Sequence, residues 1–165
     1  MSNQTESIDA RILMLRDALA LLPMSHPARG SVLNNLGVDI QMRFKQGGDR
    51  SDLDEAIVLH REALNLLPAP NPDRPGSLNN LAAAIRTRFE QAGDRSDLDE
   101  AIVLHREALN LLPALNWRRP GSLNNLASAI LTRFEQAGDR SDLDEAIVLY
   151  REGLDLQPEI GRAHV

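Results

Sequence analysis

Between residues 76 and 91 the apolar side chains fall at Leu78, Leu81, Ala82, Ile85 and Phe89, at offsets 0, 3, 4, 7 and 11. That spacing draws one stripe along a helix of 3.6 residues per turn. Gly93, which tolerates left-handed backbone, is expected to end this helix. The segment "DRSD" then opens a second one, with Ser96 or Asp97 as the expected cap and Asp99 and Glu100 in the first turn, where the dipole favours anions. Its stripe is Leu98, Ala101, Ile102, His105, Ala108, Leu109 and Leu112, closed by Pro113. Val103, Leu104 and Leu111 add apolar surface on a second side, which the pattern predicts a neighbouring repeat covers.

This pair of helices recurs. Pro23, Pro68, Pro113 and Pro158 stand 45 residues apart, as do Phe44, Phe89 and Phe134, and Leu33, Leu78 and Leu123. Residues 51–95 and 96–140 differ at only five positions, the mark of a recent duplication. The pattern predicts an all-α chain of seven antiparallel helices: 7–22, 30–46, 51–67, 75–91, 96–112, 120–136 and 141–157. They group into units of about 1–50, 51–95, 96–140 and a partial 141–158. Such units are expected to stack into a right-handed α-solenoid with a concave and a convex face.

Composition narrows the use of such a surface. The 165 residues are 42% hydrophobic, 25% charged and only 3% aromatic, a helical palette. A formal charge of −6 argues against nucleic acid or an anionic membrane as partner, since both call for a basic face. With no cysteine, disulfides and thiolate metal sites are excluded. No apolar run approaches 18 residues, and "MSNQTESIDA" lacks a signal pattern, so the expected location is cytoplasmic.

The second helix carries Ala101, Ala108 and Pro113, repeated as Ala56, Ala63, Pro68 and, with one change, as Ala146, Gly153, Pro158; the first carries "LNNLA" at 78–82. Together these resemble the tetratricopeptide repeat, here with 45 residues in place of the usual 34. The segment "NPDRPGSLNNLA" is similar to the long repeats of kinesin-light-chain-like proteins. The "GDRSDLDEAI" register resembles arrays that flank CHAT domains or nucleotide-binding signalling domains. His60 and His105 depart from the family, which has Phe or Tyr there, while Tyr150 keeps the aromatic type. The resemblance implies a protein–protein interaction scaffold that holds a partner peptide or domain on its concave face. Its alternative implication is a structural or sensor segment of a larger signalling protein with a CHAT-type protease or nucleotide-binding effector.

Candidate chemistry is sparse. His60 and His105 sit on the buried stripe with no further ligands nearby and read as packed core histidines. The "DRSDLDE" turns lack the 12-residue calcium loop and read as capped helix starts. No phosphate-binding loop or nucleophile–base set stands outside the repeat. No catalytic residue, cofactor or metal site is therefore expected, and the chain does not read as an enzyme. The Asn pairs are more informative. Asn79 and Asn80 project about 100° and 200° from Leu78, off the core stripe, as do Asn34 with Asn35 and Asn124 with Asn125. One reading is a hydrogen-bond ladder between successive first helices. The other is recognition of a peptide backbone by carboxamides, which both donate and accept. Of the five positions that differ, Pro70/Leu115, Pro72/Trp117 and Asp73/Arg118 fall in the inter-repeat loop, and Ala83/Ser128 and Arg86/Leu131 on the first helix. The expected peptide groove is Asn34, Asn35, Gln41, Asn79, Asn80, Arg86, Asn124, Asn125 and Leu131.

After Pro158 the register predicts another loop and "GSLNNLA", yet the chain reads "EIGRAHV". Those letters match one frame of a common sequencing adapter, so residues 159–165 are expected to be non-native and the natural chain to continue. Helix 141–157 would then lack a neighbour, under-burying Val148 and Leu149 and opening a route to self-association.

Overall fold

At the tight joint inside each helix pair, a glycine and a capping aspartate resolve orphaned backbone groups of the two helix termini. In the computed structural model, which describes the backbone of residues 2–163 and the side chains of residues 7–157, the elements are α1 (Ser2–Leu21), α2 (Arg29–Gly47), α3 (Arg50–Leu66), α4 (Arg74–Ala92), α5 (Arg95–Asn110), α6 (Arg119–Ala137) and α7 (Arg140–Ala163). No strand occurs among the described residues. The inner boundaries agree with the expected ones to within two residues. α7 does not stop at 157 but runs on through Pro158, while the side chains of 158–165 lie outside the described residues.

Gly48, Gly93 and Gly138 close α2, α4 and α6 at φ of 75°, 73° and 72°, the left-handed region that disfavours a Cβ. Each donates its N–H to the carbonyl of Phe44, Phe89 or Phe134 at 2.7 Å. Only one residue later the next helix is capped. Asp49, Asp94 and Asp139 accept from the backbone N–H and hydroxyl of Ser51, Ser96 and Ser141 at 2.8–3.0 Å. These hydrogen bonds hold the three carboxyls below their usual pKa. The cap is therefore Asp94, not Ser96 or Asp97.

Asp97 has another partner. Its buried carboxylate takes the fork of Arg88 at 2.7 and 2.8 Å, and Arg43–Asp52 and Arg133–Asp142 repeat the arrangement at 2.7 and 2.9 Å. These charge-assisted bonds raise the pKa of Arg43 and Arg133 further. The fork ties the end of one helix to the first turn of the next and fixes the hairpin angle.

The helices pack as two units, Met1–Ala84 and Ile85–Val165, with the boundary inside α4. In the first, Ile8, Ile12, Leu36, Ile40 and Ala56 form a core that Leu15, Leu19 and Leu59 flank. In the second, the core is Phe89, Leu98, Ile102, Leu109, Leu123, Leu126, Ala129, Ile130 and Ala146. Every residue of the two expected stripes is buried, His105 included. The second side is covered only in part: Leu104 is half-buried, whereas Val103 is 63% exposed and Leu111 is also open. Val148 is 61% exposed and its counterpart Val58 63%, so this row faces solvent in every repeat and the exposure of Val148 is no effect of a missing neighbour.

Candidate functional site

In the first unit the Asn row turns inward. Asn34 Oδ1 accepts from Asn80 Nδ2 at 3.2 Å, joining α2 to α4, and lies 3.2 Å from His60 Nδ1. An oxygen that accepts from both sides makes His60 Nδ1 the protonated nitrogen. Its Nε2 then stays buried without a partner. The ring lies against Gly37, where a Cβ would come within 2.8 Å of Cε1. Burial pushes the His60 pKa down to about 4, because desolvation penalises the imidazolium.

Asn35, one residue on, is exposed and lines a groove of about 230 Å³ with Arg11, Met14, Leu15, Val38 and Asp39. Arg11 clamps the buried carboxylate of Asp39 through Nε at 3.1 Å and through Nη2. Moving 45 residues along, the same two positions are Ala56 and Ala84, then Ala101 and Ala129, all buried. The first repeat thus replaces a packed alanine pair by an ion pair at the floor of the groove. Gln41 is buried in α2, its Nε2 unpartnered.

In the second unit Arg86 donates to Ser128 Oγ at 2.8 Å and sits 3.6 Å from Glu90. Two of the five positions that separate the near-identical copies are thus met here: Ser128, where the other copy has Ala83, receives Arg86, where the next copy has Leu131. Leu131 packs against the core. His105 is buried, and desolvation together with the charge of Arg86 lowers its pKa to about 4. Asn124 is half-buried, and its Oδ1 lies 3.1 Å from where a Cβ on Gly153 would stand. The alanine that the other repeats carry there, Ala63 and Ala108, would need that side chain to give by a few tenths of an ångström. Asn79 is half-buried and Asn125 exposed.

A feature the sequence reading did not single out is the role of the arginine at each first-helix start. Pro23, Pro68 and Pro113 have no N–H, so the carbonyls of Leu19, Leu64 and Leu109, four residues earlier, lose their helical donor. Arg29, Arg74 and Arg119 supply it: their Nη1 groups donate to those carbonyls at 3.0, 3.1 and 3.3 Å. Each also reaches Leu22, Leu67 or Leu112 at 2.9–3.1 Å. The constant six-residue step from Pro to Arg was the available signal.

The profile of the tetratricopeptide repeat matches residues 76–113. No curated protein matches the chain. Among solved structures, the crystal structure of kinesin-light-chain nearly identical TPR-like repeats from Podosopora anserina superposes with a TM-score of 0.58 at 18% identity, covering 86% of this chain. This chain spans 66% of that one. The DHF119 filament aligns at a TM-score of 0.45 and 16% identity, over 95% of this chain and 81% of its own.

Proposed function

With residues 76–113 a repeat of the tetratricopeptide family, in a chain of seven helices that shares the fold of TPR-like repeats, we propose that the protein is an interaction scaffold that holds a peptide or domain of a partner on its first helices. Repeats of this family mediate protein–protein interaction and are typically non-enzymatic. The observation that carries the reading is polar surface at the same register of α2 and α6, beside buried positions of the same helices. Asn35 and Asn125 are exposed beside fully packed Leu36 and Leu126. A carboxamide there can donate to and accept from an extended backbone. In the first unit Asn35 stands in a groove with an apolar side at Met14, Leu15 and Val38, which suits an apolar side chain flanking the bound backbone. Arg86, Asn124 and Leu131 vary the chemistry that the second unit offers, while Asn79 belongs to the first.

Selection of a displayed peptide library on the protein, followed by titration of the recovered peptide by fluorescence anisotropy, tests this reading. Asn35→Ala or Asn125→Ala is expected to weaken binding about tenfold, the effect of an amide hydrogen bond lost from a closed contact. A recovered peptide whose affinity is indifferent to both substitutions would remove the first helices as the site.

A further inference from the structure

The duplicated copies differ at five positions, and three of these lie together in the joint between helix pairs. Residues 67–73 and 111–118 form that joint in the two copies and are held by the same three hydrogen bonds. The N–H of Asn71 or Asn116 donates to the carbonyl of Pro68 or Pro113 at 2.9 or 3.1 Å. The side-chain oxygen of the same Asn accepts from the N–H of Asp73 or Arg118 at 2.8 or 2.9 Å, and its carbonyl accepts from Arg74 or Arg119. On this shared frame the first loop displays Pro70, Pro72 and Asp73, and the second Leu115, Trp117 and Arg118. All six are exposed. Helix pairs flank the second loop on both sides, so its openness is not that of a terminal helix.

The three changes reverse a charge and add apolar surface. Leu115 is 60% and Trp117 62% exposed, and the Arg118 guanidinium lies 4.9 Å from the centre of the indole ring. A guanidinium stacked in this way is held in place while its edge can still meet a carboxylate. An exposed indole beside it suits proline rings, which are apolar and already ordered. Prolines next to a carboxylate are what the 67–73 loop displays. The first joint does not match, because it carries Ser25, Pro27 and Ala28 at the same positions and has no charge there.

We propose that the Leu115–Trp117–Arg118 loop is a self-association surface whose occupant is the 67–73 loop of a second copy of this chain. Trp117 and Leu115 pack on Pro70 and Pro72 of that copy, and Arg118 pairs with its Asp73. The contact joins unlike surfaces, so each copy carries both halves. With two apolar side chains and one ion pair at its centre, it is a weak contact that forms reversibly at high protein concentration. It uses none of the first-helix positions and does not rest on peptide binding there.

Sedimentation equilibrium of the full chain over a range of concentrations tests this, with emission from Trp117, the one tryptophan of the sequence, as the local readout. Mass should rise above that of a monomer as concentration increases, the emission should shift to the blue in step, and added salt should weaken both effects. Arg118→Asp or Asp73→Arg alone should weaken association about tenfold or more, since like charges then meet. An equimolar mixture of those two variants should associate within about threefold of the native chain, because each supplies the charge the other lacks. Recovery on mixing also shows that neither variant is misfolded. Trp117→Pro, which installs the residue the other copy carries at 72, should weaken association about tenfold as well. A chain that stays monomeric at millimolar concentration overturns the proposal. So does association that either charge reversal leaves unchanged, as contact through α7 would give. Loss in both variants that mixing fails to restore overturns it too, since a different surface would then cover Trp117.

Discussion

Arg119 donates to the carbonyl of Leu109, which Pro113, four residues on, cannot supply with an N–H and which otherwise accepts from Leu112 N–H at 3.1 Å. A proline that ends one helix and an arginine that starts the next are thus two halves of a single arrangement. Separately each looks ordinary. Arg119→Met should leave the Leu109 and Leu112 carbonyls short of a donor and cost about 1–3 kcal/mol in urea denaturation. Pro113→Ala restores an N–H at the Leu109 carbonyl, so in that background the arginine substitution should cost measurably less. Strict additivity of the two changes would contradict the coupling.

Two buried histidines make stability fall on the acid side. His60 and His105 have folded pKa values of about 4 against an ordinary value of 6.5. Between those values the unfolded chain binds protons that the folded chain refuses. Their contribution is therefore fully present above pH 6.5 and is lost as the pH falls from 6.5 towards 4. Each can remove up to about 3 kcal/mol over that window. His105→Tyr, which copies the residue the fourth, partial unit carries at position 150, should lessen the slope of stability against pH by about half. An unchanged slope would show that His105 does not titrate in this way.

Gly37 tests the same ring from the other side. Ala stands at the two corresponding positions, 82 and 127, but a Cβ on Gly37 would meet the His60 ring at 2.8–3.0 Å. Gly37→Ala should destabilise by about 1–3 kcal/mol through overpacking. Once His60→Ala has emptied the space, the same change should stabilise by up to about 1 kcal/mol through helix propensity. Gly47→Ala, with nothing within 4 Å of its added Cβ, is the control and should not destabilise. A Gly37 cost that survives in the His60→Ala background would locate the strain elsewhere.

Much of the architecture is legible without coordinates because it is local. The 3.6-residue stripes and the glycine stops need only their own segment, and Leu78 to Phe89 and Leu98 to Leu112 are buried as their spacing implies. The caps were harder. Four residues of "DRSD" offer several oxygen-bearing side chains, and only a tertiary partner, Arg88, decides that Asp97 is taken and Asp94 is free to cap. The Asn pairs show the same limit. Spacing places Asn34 and Asn80 off the core stripe, but whether a helix or solvent lies opposite depends on packing between repeats, and there Asn34 meets Asn80. The outer row failed for a different reason. Val103 has an apolar side chain on a face that packing never reaches, and hydrophobicity alone does not say which of two stripes is covered.

Only residues 48–49 separate α2 from α3, and only 138–139 separate α6 from α7. With a left-handed glycine followed at once by a capping aspartate, the chain has almost no freedom between the two helices of a hairpin. Most contacts in such a hairpin join residues close in sequence, so little loop entropy is lost before they form, and rapid, hairpin-by-hairpin assembly follows. The joints between hairpins are longer, at residues 67–73 and 111–118, and they hold three of the five substitutions that separate the duplicated copies. Lengthening a joint there should slow docking of one hairpin on the next while leaving the closure of each nearly as fast as before. The speed of a hairpin and the speed of the array are set in different stretches of the chain, so each can drift without the other.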